Sequence, residues 1–227
     1  MSTNTQPRQP SGTPVGGQFA GKANPEPTED TIGASVWDFY SAYDDARSGY
    51  LPADFDQWDL ADEDGCTVAH VAAYCGKLPP DFDQWDLANK YGWTVSHIVA
   101  KSGNLPPDFD QWDLADEYGW TVAHNAAAFG HLPPDFDRWD LADADGWTVA
   151  HIAAWYGNLP PDFDQWDLAD EDGMTVAHTA AKSGHLPPDF DRWDLADKRG
   201  QTVREVAERR LHILRAHVSE TPLSERA

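Results

Sequence analysis

Five histidines recur at a spacing of 27 residues, and histidine is a common ligand of zinc. They are His70, His97, His124, His151 and His178. A zinc ion needs its nitrogen ligands about 2.0–2.1 Å away. Equivalent residues on neighbouring packed helices lie about 8–10 Å apart. Because one ion cannot bridge that distance, the spacing predicts neither a metal site nor a metal cofactor.

The acidic stretch that ends at Gly65 has the composition of a calcium loop. An EF-hand places oxygen ligands at its first, third and fifth positions, glycine at the sixth and glutamate at the twelfth. With Gly65 as the sixth residue, Leu60 would be the first and Val71 the twelfth, and neither is a ligand. The equivalent segments ANKYG and ADKRG depart further. The aspartates are therefore predicted to cap turns.

The motif DFDxWD supplies three carboxylates per unit and eighteen in six units. Carboxylates about 5–10 Å apart can catalyse glycoside hydrolysis. An active site is singular, however, and this motif is copied throughout. The chain also has no G-x-S-x-G motif, no phosphate loop and no Cys–His pair outside the repeat. The sequence thus predicts no catalytic residue and no enzyme.

These residues belong to a repeat of 27 residues. Trp58, Trp85, Trp112, Trp139, Trp166 and Trp193 share the spacing, and so do six glycines from Gly65 to Gly200. One unit, residues 105–131, reads LPPDFDQWDLADEYGWTVAHNAAAFGH. A period of this length is typical of a solenoid, in which each unit buries its apolar face against its neighbours.

The helix-forming half of the unit lies between Asp116 and Gly130. Asp116 and Gly119 favour a turn, and Thr121 stands where a helix N-cap is expected. A narrow stripe of valine and alanine follows on a predicted helix of about ten residues, which Gly130 ends. A helix this short is marginal alone and must stack on its neighbours.

The other half begins with Pro133 and Pro134, which cannot continue a helix but can open one. Phe136 and Trp139, three residues apart, are predicted to share a face of a very short helical turn. No alternating pattern is long enough for a strand. The predicted fold class is therefore all-α.

The pattern D-x-x-G-W-T-V-A-H-x-A-A-x-x-G-x-L resembles the first half of an ankyrin repeat, D-x-x-G-x-T-P-L-H-x-A-A-x-x-G-H, over about residues 35–210. The resemblance implies an ankyrin-like helical repeat solenoid of short helices and connecting turns. It also implies that His151 and its equivalents tie each turn to neighbouring backbone. Val-Ala replaces Pro-Leu here, and the unit is six residues shorter than the usual ~33.

Composition and register divide the chain into three parts. Residues 1–33 are predicted to be a disordered tail, which resembles leaders of bacterial proteins, often on mobile elements. Residues 34–218 are predicted to form the array, with an N-terminal cap at 34–53, repeats at 54–200 and a C-terminal capping helix at 201–218. A flexible tail is expected at 219–227.

The charge is concentrated in the array. The net charge is −23, and residues 34–197 carry 32 acidic and 7 basic side chains. Such a surface repels phosphates, so neither direct nucleic-acid binding nor membrane binding is expected. A protein with a basic surface is the favoured partner. Alternatively, the acidic side chains could serve only to keep the chain monomeric and in solution. The two cysteines are read as reduced thiols in a cytoplasmic protein.

Positions that differ between units are free to serve function. In ankyrin repeats such turn tips and outer helix positions form the concave binding face, which makes these residues the predicted partner-binding set: Tyr91, Trp93, Lys101, Tyr118, Trp120, Phe129, Trp147, Trp155, Tyr156, Met174 and Lys182. Trp93, Trp120 and Trp147 could instead pack between units. Two functions remain open: a protein-binding scaffold, and an acidic nucleic-acid mimic that inhibits a DNA- or RNA-binding protein.

Overall fold

The computed structural model describes residues 37–220, and within them the chain is all-α and repetitive, as predicted. The helices are α1 (Phe39–Ser48), α2 (Val68–Tyr74), α3 (Val95–Ala100), α4 (Val122–Phe129), α5 (Val149–Tyr156), α6 (Val176–Ser183) and α7 (Val203–Glu220). The expected disordered tail at 1–33 lies outside the described residues, as does the stretch 221–227. No helix in the described part is long and apolar enough to cross a membrane.

Each repeated helix begins at a threonine cap. The Thr121 side chain accepts a hydrogen bond from the His124 backbone N–H, and α4 ends at Gly130 with φ 73°. The helices α2 to α6 have six to eight residues, so the expectation of about ten was wrong. Only eight residues fit between Thr121 and Gly130, because the cap and the left-handed glycine are themselves not helical.

The proline-containing half of each unit forms hydrogen-bonded turns and not the predicted helical turn. The Phe136 N–H donates to the Pro133 carbonyl at 3.1 Å, which closes a single turn. Carbonyls farther along the segment accept from the start of the next helix: the N–H of Ala150 donates to Trp139 and that of Val149 to Leu141. These bonds connect the turn segment to the first turn of α5.

An alternating ladder of phenylalanine and tryptophan rings connects the turns. Phe136 packs edge-to-face on Trp139 of its own unit at 5.2 Å and on Trp112 of the preceding unit at 5.6 Å. The same pattern continues from Phe55 to Trp193 with ring centroids 5.0–6.2 Å apart. Edge-to-face contacts add to the apolar burial of these large rings.

Buried alanines lie between neighbouring helices. Ala123, Ala126 and Ala127 of α4 are almost fully buried, and every helix packs only on those before and after it in the sequence. Small side chains allow close approach, so each short helix is stabilised by its two neighbours.

Candidate partner-binding site

The repeated histidines join adjacent units. The Nδ1 atom of His124 accepts from the Thr121 N–H at 3.1 Å and from its hydroxyl at 2.7 Å. Its Nε2–H donates to the Trp147 carbonyl of the next unit at 3.0 Å. The same pattern holds at His70, His97, His151 and His178. The role that the repeat pattern implied is thereby confirmed.

Burial makes these imidazoles poor proton donors and acceptors for a ligand. It lowers the pKa of His70, His97, His124 and His151 below the ordinary value, although the hydrogen bond to each carbonyl acts in the opposite direction. Both ring nitrogens are already engaged. The histidines are therefore structural connectors.

The turn aspartates also have structural partners. One carboxylate oxygen of Asp116 accepts from the N–H groups of Tyr118 and Trp120, each at 2.9 Å. Asp62, Asn89, Asp143, Asp170 and Asp197 make the equivalent pair of bonds. Among the side chains that the structure describes, those of residues 37–213, no group of three metal ligands is placed to hold an ion.

The eighteen DFDxWD aspartates are exposed, while the rings between them are buried or half-buried. In the described part of the chain, two of the eighteen form ion pairs: Asp113 with Arg138 at 3.1 Å and Asp167 with Arg192 at 3.3 Å. The hydrogen bond from Arg138 lowers the pKa of Asp113. We call this set, Asp54 to Asp194, the acidic edge.

The predicted binding residues divide into exposed and half-buried groups. Tyr118 and Tyr156 are 68% and 55% exposed. Tyr91, Lys101, Phe129, Trp155 and Lys182 are exposed as well, whereas Trp93, Trp120, Trp147 and Met174 are half-buried. The exposed rings among these residues are accessible to another molecule, whereas the half-buried ones present only part of their surface.

Four of the predicted residues meet in one surface depression of about 260 Å³. It lies where the third and fourth repeats meet, and its lining comprises Trp120, Asp143, Asp145, Trp147, Ile152, Trp155 and Tyr156. We call it the aromatic depression. Asp143, Asp145 and Ile152 were not among the predicted site residues. Asp145 and Ile152 occupy slots that vary between units, which was the signal available in the sequence.

The tryptophans after the turn glycine both pack and line this surface. The Trp120 ring lies 5.1 Å from the His124 ring, and the Trp120 carbonyl accepts from His97. Trp147 packs edge-to-face with Trp155 at 6.2 Å. The ring–ring contacts of Trp120 and Trp147 thus lie within their own units, and both rings are half-buried at this surface.

Lysines lie over two of the aromatic rings. The Lys101 ammonium is 4.2 Å from the Trp93 ring centroid, and that of Lys182 is 5.5 Å from the Trp155 centroid. Both distances are within the range of a cation–π interaction. Cationic side chains are therefore compatible with this face of the array.

Met174 and Lys182 line a separate depression of about 330 Å³ between α6 and α7. Val206 and Ile213 add apolar surface, and Arg209 and Arg210 add positive charge. The predicted residues thus line two depressions, which adjoin where Lys182 lies over Trp155, and Tyr91, Trp93, Lys101, Tyr118 and Phe129 line neither of them.

A scan against models of protein families finds no match, and a search of curated proteins finds no similar sequence.

Proposed function

We propose that this chain is a non-catalytic scaffold of ankyrin-like repeats that binds a protein partner with a basic surface. The observation that carries the proposal is the aromatic depression, where Trp120, Trp147, Trp155 and Tyr156 lie beside two aspartates. Partly exposed tryptophan and tyrosine rings are the usual anchors of protein recognition.

The charge of the surrounding surface supports a basic partner. The acidic edge repeats in every unit, and exposed carboxylates such as Asp145 add to it. A field of one sign accelerates encounter with an oppositely charged protein and disfavours acidic competitors. Aromatic contacts would then hold the complex together after the charges have guided it.

The ankyrin-like architecture is part of the proposal. It is supported by the Thr–His capping box, the left-handed glycine after the helix and the histidine bond to the next unit. Each unit has one short helix followed by a turn segment where an ankyrin repeat has a second helix. Binding on the face of turn tips and helix surfaces follows from that resemblance.

The test is partner capture from a lysate of the native host, with the exposed rings removed. Trp155→Ala and Tyr156→Ala together should abolish capture, because both rings contribute to the aromatic depression. Tyr40→Ala is the matched control, since Tyr40 is 74% exposed on α1, outside the repeats. Unchanged capture by the double variant, with its fold intact by circular dichroism, would refute the scaffold proposal.

The acidic edge favours a second candidate function, mimicry of nucleic acid. Sixteen of its eighteen carboxylates make no ion pair among the described residues, and exposed carboxylates repeated in every unit resemble repeated phosphates. A mimic should release its partner when excess duplex DNA is added, and binding should fall steeply with salt. A variant with four substitutions separates the two functions: Asp108→Asn, Asp110→Asn, Asp135→Asn and Asp137→Asn. It should bind the partner more weakly if the chain is a mimic, and about as well as before if the complex depends on the aromatic rings.

A further inference from the structure

The second repeat covers one of its own tryptophans with a lysine. Trp93 follows the turn glycine, and Lys101 lies eight residues later at the end of α3. The Lys101 ammonium is 4.2 Å from the Trp93 ring centroid. Partial desolvation lowers the pKa of Lys101 although the side chain is exposed overall, so the cation–π geometry and not the pKa indicates the contact.

The third repeat has the same tryptophan without the lysine. The equivalent positions are Trp120 and Ala128, and alanine has no charge to place over a ring. In the fourth repeat they are Trp147 and Trp155, which pack edge-to-face with each other. The aromatic depression therefore contains Trp120, for which the equivalent of Lys101 is the uncharged Ala128.

Two carboxylates lie in the same depression. One oxygen of Asp143 accepts from the N–H groups of Asp145 and Trp147 at 3.0 and 2.8 Å, which fixes that side chain. Asp145 is exposed and forms no ion pair among the side chains of residues 37–213. An aromatic surface beside unpaired negative charge is complementary to an ammonium group.

We propose that the aromatic depression accepts a lysine side chain of the partner protein, with its ammonium at the Trp120 ring and Asp145 as counter-charge. The partner would supply what Lys101 supplies to Trp93. Lys182 of the next repeat already lies over Trp155 and is not in the lining of the depression. Trp120 is therefore the tryptophan available to a cation of the partner. The assignment rests on the proposed scaffold function and specifies the chemistry of its partner.

The experiment uses two capped pentapeptides, four glycines around a central lysine or around a central norleucine. Norleucine has a similar side chain without the charge, and a single lysine limits non-specific attraction to the acidic surface. Each is titrated into the full chain labelled with ¹⁵N, and the tryptophan indole N–H signals are followed by NMR. Trp120→Phe identifies the Trp120 signal.

The lysine peptide should shift the Trp120 signal, and the norleucine peptide should not do so at the same concentrations. Ala128→Lys should lower the affinity for the lysine peptide about fivefold or more, because it supplies the missing internal cation. Asp145→Asn should weaken binding about 2- to 5-fold. The matched control is Tyr74→Lys, which makes the same change of charge in the same slot where Cys66 replaces the tryptophan. It should leave the affinity within about twofold.

Equal shifts with both peptides, or unchanged affinity in Ala128→Lys, would overturn the lysine site. That result would leave the scaffold proposal standing if the captured partner still depended on Trp155 and Tyr156. Conversely, lysine binding at Trp120 without any partner that depends on those rings would support the site and overturn the scaffold.

Discussion

Single side chains connect adjacent units by hydrogen bonds. Each repeated histidine receives hydrogen bonds from its threonine and donates one to the next unit, so its neutral form with the proton on Nε2 is the one that fits. A proton added to Nδ1 would face the Thr121 N–H, another donor. The connection between units is therefore sensitive to the protonation of the imidazoles.

We expect the free energy of unfolding to fall as the pH decreases from about 7.5 to about 5.5. His70, His97, His124 and His151 have a lower pKa in the folded state, so below about 6.5 the unfolded chain binds their protons first. The contribution of these histidines to the free energy of unfolding is fully present above that pH. As the pH falls from there toward their folded-state pKa, each residue loses at most about 1.4 kcal/mol of it per pH unit. Neighbouring Asp62, Asp116, Asp143 and Asp170 moderate the loss.

Urea unfolding at constant ionic strength across this pH window measures the slope. His124→Gln should reduce the slope, because it removes one of the four imidazoles whose pKa is lower in the folded state. A flat or inverted profile would contradict the prediction.

Two buried polar atoms interrupt the apolar packing. Asn125 Nδ2 and Thr179 Oγ1 have no hydrogen-bond partner in the described part of the protein, and their slot holds Val71 in the first unit. Asn125→Val should raise the free energy of unfolding by about 1–3 kcal/mol, since it removes an unsatisfied donor. Ile152→Val in the same slot should lower it by about 0.5–1.5 kcal/mol. Urea denaturation compares the two, and destabilisation by Asn125→Val would show that the amide has a partner.

At the scale of the elements, the turns determine how one unit meets the next. The Ala144 N–H donates to the Tyr118 carbonyl at 2.9 Å, which connects successive turns by backbone alone. Gly119 lies in that contact with φ +77°, and a Cβ there would be 2.7 Å from the Ala144 nitrogen. Its glycine is required by both conformation and space.

Gly119→Ala should therefore destabilise the array more than Gly200→Ala. The φ of Gly200 is +78°, but a Cβ there would meet nothing within 4 Å. We expect Gly200→Ala to cost about 1–2 kcal/mol for the left-handed backbone alone. Gly119→Ala should cost at least about 1 kcal/mol more because backbone atoms must move. Equal urea midpoints for the two variants would show that the turns are not in tight contact.

At the scale of the whole molecule, the surface charge is far from balanced. The net charge is −23, and three ion pairs between side chains occur in the described part of the chain. Mutual repulsion of like charges destabilises a compact state. The array is stabilised instead by alanine packing and by the Phe–Trp ladder, which do not depend on charge.

Added salt should consequently stabilise this protein. We expect the urea midpoint to rise as NaCl increases from about 0.01 M to about 0.15 M, because screening weakens repulsion along the acidic edge. The gain should be on the order of 1 kcal/mol or more. KCl should act in the same way, since the effect is screening and not the binding of one ion. A midpoint that is independent of salt would mean that the carboxylates are too far apart to repel.

The sequence by itself determined the 27-residue register, the threonine caps, the glycine ends of α4 to α6 and the all-α class. These features depend on residues close together in the chain, because a cap or a left-handed glycine acts within a few positions. The turn segments do not form the predicted helical turns, and their Trp139 and Leu141 carbonyls instead accept from Ala150 and Val149 at the start of the next helix. Local propensity contains no information about bonds to a later element.

Only the tertiary structure decided which variable positions share a surface. The sequence grouped eleven residues as one face, but Trp120, Trp147, Trp155 and Tyr156 meet in one depression with Asp143 and Asp145, while Met174 and Lys182 line another. Each depression combines side chains of adjacent units. Their relative positions depend on how alanine helices and aromatic rings stack, which is set by packing between units and not by the pattern within one.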